Sequence, residues 1–297
     1  MADDGKADSG AGKVAERFED APVGALVYVD ERGQVRSPTH YRKVGVAYAS
    51  SAAITWGALS WLLYSSLGPP GLAIGAVLTV IMGREVVPWF RLRRAVGLLA
   101  VGRTDDAEPV LRSLAHGRSV PASIRSRALQ ELGRIASMRG RYPEALALLE
   151  AALQTAVADV QAARWQLRAV EYAMVVTLVN LDRVADARRR FDAITRTLEG
   201  DYLRALRASA ELYVAFAEDQ SRFEPALLRE RADVALALPS ALPLLLLVAW
   251  AYERSGQRAS AAPLLAAART RAGWDLLRPL YPRLVAWHDS VTARQDR

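Results

Sequence analysis

Residue types that do chemistry are scarce in this chain and poorly spaced for it. Its three histidines, His40, His116 and His288, lie far apart, with no H-x-x-x-H or H-E-x-x-H spacing among them. There is no cysteine, which removes disulfides, thiolate nucleophiles and thiolate metal sites. A zinc site needs three or four ligands at characteristic spacing, and this material does not supply them. No G-x-x-x-x-G-K-[ST] loop is present to cradle phosphates, no glycine-rich dinucleotide turn follows a strand, and no G-x-S-x-G elbow presents a serine. The acidic pairs Asp105/Asp106 and Glu218/Asp219 read as helix-end and solvated-face charges rather than as an acid and a base. The run Arg188-Arg189-Arg190 lacks interleaved aromatics, so it reads as a solvated face or a local salt-bridge set rather than a nucleic-acid contact. The expectation is a protein without catalysis, metal or cofactor.

Composition points to a membrane instead. The 297 residues are 52% hydrophobic, high for a soluble protein, and the excess sits largely between residues 44 and 90. That length leaves room for two or more units beyond an anchor. The chain is basic, with a net charge of +7 and a pI near 9.9. Only three of its 39 basic residues are lysines, so 36 are arginines. Abundant Arg, Ala and Leu with little Lys is the mark of GC-rich codons, which weakens the case for a nucleic-acid surface. Anionic lipid headgroups account for an arginine excess near a membrane equally well.

Residues 44–67 run for 24 positions without a charge, and about 20 apolar residues suffice to cross a bilayer as a helix. Gly68-Pro69-Pro70-Gly71 follows and reads as a turn, since proline lacks an N–H and presets turn geometry. A second apolar run, 71–90, comes straight after. The expectation is a two-helix transmembrane hairpin. Arg42 and Lys43 precede it, Arg91, Arg93 and Arg94 follow it, and the turn carries no charge. The positive-inside rule therefore puts both termini in the cytoplasm, at a bacterial cytoplasmic (inner) membrane, with the turn outside. Trp61, Tyr64, Trp89 and Phe90 are placed to sit at the interfaces.

The second run is interrupted by Arg84 and Glu85. Two readings stand: Arg84 snorkels to the cytoplasmic edge, or it pairs with a partner inside the membrane. Small residues recur along both runs, Ala49, Ala53 and Gly57 in the first, Gly71 and Gly75 in the second. Such spacing lets helix backbones approach closely in lipid. It serves hairpin self-packing, oligomerisation or docking on another membrane protein. Ahead of the hairpin, residues 1–13 are small, polar and glycine-rich and read as disordered. Residues 25–29 and 34–36, around Asp30-Glu31-Arg32-Gly33, read as a short β-hairpin.

From Arg91 onward the chain is rich in Ala, Leu and Arg, nearly strand-free, and it repeats. The clearest unit, 128–153, carries Leu132, Gly133, Ala136, Gly140, Tyr142, Ala145, Leu149 and Ala152. Gly133 and Ala145 are small where two helices would cross, Gly140 marks their turn, and Tyr142, Leu149 and Leu153 fill the seam. Weaker copies follow the same offsets: Leu98, Gly102, Ala107, Leu111 and Leu114; Leu178, Val184, Ala187, Phe191 and Ile194; Ala249, Tyr252, Gly256, Ala261, Leu265 and Ala268. A degenerate unit surrounds Phe216, Phe223 and Ala226. Anchor alanines at 107, 145, 187, 226 and 261 are spaced by 38, 42, 39 and 35. A closing helix is expected over 274–292.

This pattern resembles the tetratricopeptide repeat, a family of antiparallel helix pairs with a period of about 34 residues. The resemblance covers roughly 94–268 and implies a superhelix whose concave face receives a peptide or partner helix. The peptide-carboxylate clamp of chaperone-binding members needs Lys and Asn at set positions, where this chain has Gln130, Glu131 and Arg134, and later Leu246, Leu247 and Trp250. That clamp is absent. One stretch cuts across the repeats: 234–252 has 19 residues without a charge, and reads either as a buried solenoid helix broken by Pro239 and Pro243 or as a third span.

The reading is an all-α chain in three parts: 1–43, an arm with a short β-hairpin; 44–90, the transmembrane hairpin; 91–297, a tetratricopeptide-like α-solenoid with a capping helix. Its expected work is that of a membrane-anchored scaffold, with membrane lipids and one or more proteins or peptides as partners and no nucleic acid. Homo-oligomerisation stays open. The competing reading is an accessory subunit of a secretion, envelope or transport complex that docks through the hairpin.

Overall fold

The computed structural model describes residues 28–29, 35–36, 57–58, 61–62, 64–100, 102–157, 164–194, 201–238, 241–271 and 273–295. The arm 1–13, most of the first apolar run, and the side chains of Arg84 and Glu85 lie outside them. Two short strands, β1 (Tyr28–Val29) and β2 (Val35–Arg36), pair antiparallel with Tyr28 opposite Arg36 and Val29 opposite Val35. Everything else that has regular structure is helical.

The turn between the apolar runs is tighter than four residues. Residues 64–67 are helical, Gly68 takes φ +63°, and its N–H donates to the Tyr64 carbonyl at 2.8 Å. Helix α1 (Pro69–Ala100) starts at the next residue. Proline was expected to hold the chain in a loop, but in the first turn of a helix its missing N–H costs nothing and its φ is already helical. Helix α1 then runs for 32 residues, through Arg84, Glu85 and Pro88 and across the expected boundary at 90/91. Among the described residues no helix is long and apolar enough to cross a membrane; side chains 78–85, in the middle of α1, are outside that set.

Beyond α1 come α2 (Thr104–His116), α3 (Ala122–Met138), α4 (Tyr142–Val157), α5 (Arg164–Asn180), α6 (Val184–Ala193), α7 (Asp201–Ala217), α8 (Pro225–Ala237), α9 (Leu242–Arg254) and α10 (Arg258–Thr270). They form five helix pairs, α1/α2 to α9/α10, and one turn recurs in all five. A residue with positive φ ends each first helix: Gly102, Gly140, Asp182, Asp219 and Gly256. The next N–H reaches back to the carbonyl five residues earlier, Arg103 to Leu98, Arg141 to Ala136, Arg183 to Leu178, Gln220 to Ala215 and Gln257 to Tyr252, at 2.8–3.0 Å. This Schellman geometry satisfies carbonyls that the helix end leaves open, and glycine adopts it without a Cβ penalty. Five equal caps make the repeat a structural fact.

Three residues into each second helix lies a buried anchor: Ala107, Ala145, Ala187, Leu228 and Ala261, each at most 1% exposed. The fourth corrects the sequence reading, which put it at Ala226, an exposed residue. Residues 220–224 lengthen that turn, so α8 starts at Pro225 and the register moves on by two. Gly133 confirms a close crossing: a Cβ there would stand 3.0 Å from Leu149 Cγ and 3.3 Å from the Ala145 carbonyl. Ser126 Oγ, buried in the same seam, donates to the Ala152 carbonyl at 2.8 Å.

First helices pack on their successors in a row, α1 on α3, α3 on α5, α5 on α7 and α7 on α9. Within 234–252, α8 ends at Ala237 and α9 is enclosed by α7, α8, α10 and the C-terminal helix. The C-terminus departs from the single closing helix expected. It forms α11 (Trp274–Leu280) and α12 (Pro282–Gln295), broken at Tyr281. Pro282 excludes helical geometry from the residue before it, and Tyr281 accordingly has φ −135° and ψ 57°.

Candidate functional site

Two surfaces stand out, an open apolar stem and a row of first helices that is already covered. On the stem, Trp61, Leu62, Tyr64, Leu67, Ile74, Val77, Val86, Val87, Trp89 and Phe90 are ten of the twelve large apolar side chains exposed among the described residues. Burying such a side chain is worth about 1.5–3 kcal/mol, so ten left open, four before the Gly68 turn and six on α1, are a large unmet demand. Of the proposed helix-packing residues, Ala49 and Ala53 lie outside the described residues. Gly57 is exposed, and an added Cβ would meet nothing within 4 Å. Gly71 and Gly75, one turn apart, are both buried, whereas Ile74 and Val77 are open.

At its base the stem meets the repeats without a linker. Ala95, Val96 and Leu99 of α1 are buried, and Ala95 and Leu99 join Leu111, Leu114, Ile124 and Leu132 in one apolar cluster. Arg91 donates to Ser113 Oγ at 3.1 Å, and the Arg93 guanidinium lies 5.5 Å from the centre of the Trp89 ring. Helix α1 is continuous from the stem into the first repeat.

The second surface carries the chain's own C-terminus. Helix α11 packs on α3, and α12 packs on α9. Tyr142 Oη donates to the Pro279 carbonyl at 2.9 Å, and Asn180 Nδ2 donates to the Leu280 carbonyl at 2.9 Å. Asn180 Oδ1 accepts from Tyr213 Oη at 2.7 Å, and the Tyr213 ring stands edge-on to Tyr281 at 4.9 Å. Asp182, in the turn after α5, accepts from Arg283 at 2.9 Å. Burial pushes the Tyr213 and Tyr281 hydroxyls far above the ordinary tyrosine range, so both stay protonated, and Tyr213 donates to Asn180. Leu277, Tyr281, Leu284, Val285 and Val291 are buried here. The occupant is part of the core.

Most sequence-assigned repeat positions fall inside this framework. Leu132, Ala145, Leu149, Ala152, Ala187 and Ala261 are buried, Gly140 and Gly256 take the left-handed turn, and Phe191 is half-buried against Tyr172. Tyr142, assigned only to the seam, also holds the C-terminal segment. Asn180, Tyr213 and Tyr281 escaped the sequence reading. A lone amide ending the apolar run of α5 was the available signal. Arg271 escaped too: its guanidinium donates to the carbonyls of Ala235, Leu236 and Leu238 at 2.8–3.0 Å, capping α8.

Where the chaperone-type clamp would need Lys or Asn, α3 has a buried ion cluster. Glu131 lies 2.8 Å from Arg127 and 2.9 Å from Arg134. Burial pushes its carboxyl up, but the two guanidinium groups outweigh that and hold it below its ordinary range. A separate cleft of about 370 Å³ opens beside α6, with Leu146, Met174 and Leu178 lining it and Arg183, Asp186, Arg189 and Arg190 around them. Asp186 is shared by Arg183 and Arg189, and Arg190 reaches the Met174 sulfur at 3.4 Å. Among the described residues no His, Cys, Asp or Glu group can hold a metal ion: His116 is exposed on α2, and the His288 ring lies tilted against Trp274 at 4.6 Å. The chain matches no protein-family model, no curated protein and no solved structure.

Proposed function

We propose that this protein is a membrane-anchored scaffold, its apolar hairpin in the cytoplasmic membrane and its tetratricopeptide-like helix pairs on the cytoplasmic side, recruiting protein partners without catalysis of its own. The observation that carries the reading is the concentration of exposed apolar side chains on 61–90, at the foot of which Arg91, Arg93 and Arg94 cluster. Helix α1 at 32 residues is about 48 Å long, enough for a hydrocarbon core of about 30 Å and the first helix of the repeats. Because the row of first helices carries the chain's own C-terminus, recruitment falls to outer surfaces such as the arginine-rimmed cleft beside α6.

The test is a topology map, made simple by the absence of cysteine. Single cysteines introduced as G10C, P70C, S240C and R297C are offered a membrane-impermeant maleimide in intact cells. The expected result is labelling at position 70 alone, with the chain resisting alkaline extraction. Labelling of R297C from outside, or release of the chain by alkali, would sink the proposal. The accessory-subunit reading predicts in addition that Gly71→Leu with Gly75→Leu abolishes co-purification of a membrane partner while the chain stays inserted.

A further inference from the structure

Charge is segregated along the first helix pair and the start of α3, and its pattern says more about the surface at the foot of the stem. Between residues 86 and 130 the only acids are Asp105, Asp106 and Glu108. All three sit at the tip of the α1/α2 pair, where Arg103, Arg112 and Arg139 neutralise them at 2.6–2.7 Å. The other end is different. The bond from Arg91 to Ser113 sets the end of α2 level with the base of the stem, and the Arg139 bonds to α2's first turn show that α3 runs antiparallel to α2. The α2–α3 loop, with exposed His116 and Arg118, therefore lies level with the turn of α1 that carries Val87, Trp89 and Phe90.

We infer that Arg91, Arg93, Arg94 and Arg118 form a collar that binds the phosphate groups of anionic phospholipids around the stem. None of the four has a carboxylate partner among the described residues, in contrast to the arginines at the tip. The tip acids stand roughly 15 Å further along α1, beyond the screening length of about 8–10 Å, so they do not cancel the collar's field. Guanidinium groups match phosphate oxygens in a bidentate fork. Arg93, lying near Trp89, is already placed where an aromatic ring meets headgroups. The collar fixes how deep the stem sits and hence how the repeats stand on the membrane.

This inference rests on the anchor reading, and its test separates the two. The full chain, carrying H116C at the collar or T104C at the tip, is reconstituted with the repeats outward into phosphatidylcholine vesicles with and without phosphatidylglycerol. Labelling by an impermeant maleimide is timed. Anionic lipid is expected to slow the H116C thiol about tenfold and leave the T104C thiol unchanged, since each arginine near an anionic surface is worth severalfold in binding. R91Q/R93Q/R94Q/R118Q should abolish that dependence and R118Q alone should weaken it about threefold, with resistance to alkaline extraction retained in both. An inserted chain whose H116C thiol reacts equally in both lipids overturns the collar and leaves the anchor standing. A chain that alkali washes off overturns both. Equal slowing by inorganic phosphate in detergent, without any bilayer, would reduce the collar to a general anion site and overturn the lipid assignment.

Discussion

Two strongly apolar helices of the described structure meet opposite fates. In α9, residues 242 and 244–252 are all buried, gripped by α7, α8, α10 and α12, with Trp250 edge-on to Phe216 and Phe223 at 5.1 and 5.4 Å. Along α1 as far as Phe90, Ile74, Val77, Val86, Val87, Trp89 and Phe90 are open. Both stretches look alike to a hydropathy scale. What separates them is the company that the rest of the chain supplies: α9 is flanked by helices with complementary apolar faces, whereas the described side chains of α1 join such a cluster from Leu92 onward. An apolar run is a demand for burial, and the fold shows whether the protein itself meets it.

The sharpest way to break that contrast is to place the same charge in each helix. Leu246→Asp puts a carboxylate where side chains are 0% exposed, and should cost more than about 4 kcal/mol, leaving the repeats unfolded by circular dichroism in detergent. Val77→Asp, at a position 60% exposed, should leave the repeats' unfolding midpoint in place. Its effect should appear instead as easier alkaline extraction, on the scale of about 3 kcal/mol for a mid-bilayer acid. Equal loss of helix in both variants would mean that the stem packs on protein.

The next effect is electrostatic. Glu131 is buried between two arginines, so Glu131→Gln should cost about 3 kcal/mol at neutral pH by stranding both guanidinium groups. Its folded pKa lies below the ordinary value of 4.5, so the carboxylate's contribution is full above that value and fades as pH falls through the folded pKa. Denaturation curves of wild type and variant should therefore draw together progressively as pH falls below 4.5. A gap that does not narrow at all as the pH is lowered would assign the loss to packing rather than charge.

Asn180 comes third. It joins Tyr213 to the Leu280 carbonyl, so Asn180→Ala leaves a buried hydroxyl and a buried carbonyl without partners. A loss of about 2 kcal/mol is expected, with faster proteolysis of the C-terminal helices than of the first three pairs. Retained stability would mean that water replaces the amide and that α11 and α12 are held by their apolar side chains alone.

How far these features were legible follows from how local they are. The second pair was readable because Gly133, Gly140 and Ala145 all act inside one helix pair, Gly133 against Leu149 and the Ala145 carbonyl across a single turn. The fourth pair was misread by two residues because residues 220–224 change the loop, not the helix pattern. Pro69 and Pro70 misled because a helix breaker in its interior is a helix starter at its first turn. The C-terminal segment was invisible for a different reason: Tyr142 and Pro279 are 137 residues apart, and the acceptor is a backbone carbonyl that leaves no mark on residue type. Left-handed Asp182 and Asp219 hid two of the five turns from a search for glycine, and each bonds an arginine that glycine could not hold, Arg283 at 2.9 Å and Arg254 at 2.7 Å.

The smallest effect is the cleanest form of the contrast, because the chemistry removed is the same on both sides. Val248→Ala and Val77→Ala each delete two methyl groups from an apolar helix. Val248 is 0% exposed, so its loss forfeits transfer energy and leaves a cavity, about 2 kcal/mol together. Val77 is 60% exposed in the protein, and alanine is the better helix former. Its replacement should therefore change the unfolding midpoint in detergent by no more than about 0.5 kcal/mol in either direction. A loss at Val77 approaching that at Val248 would show that the open face of α1 is covered by this chain or a second copy of it, and the apolar stem would no longer argue for lipid.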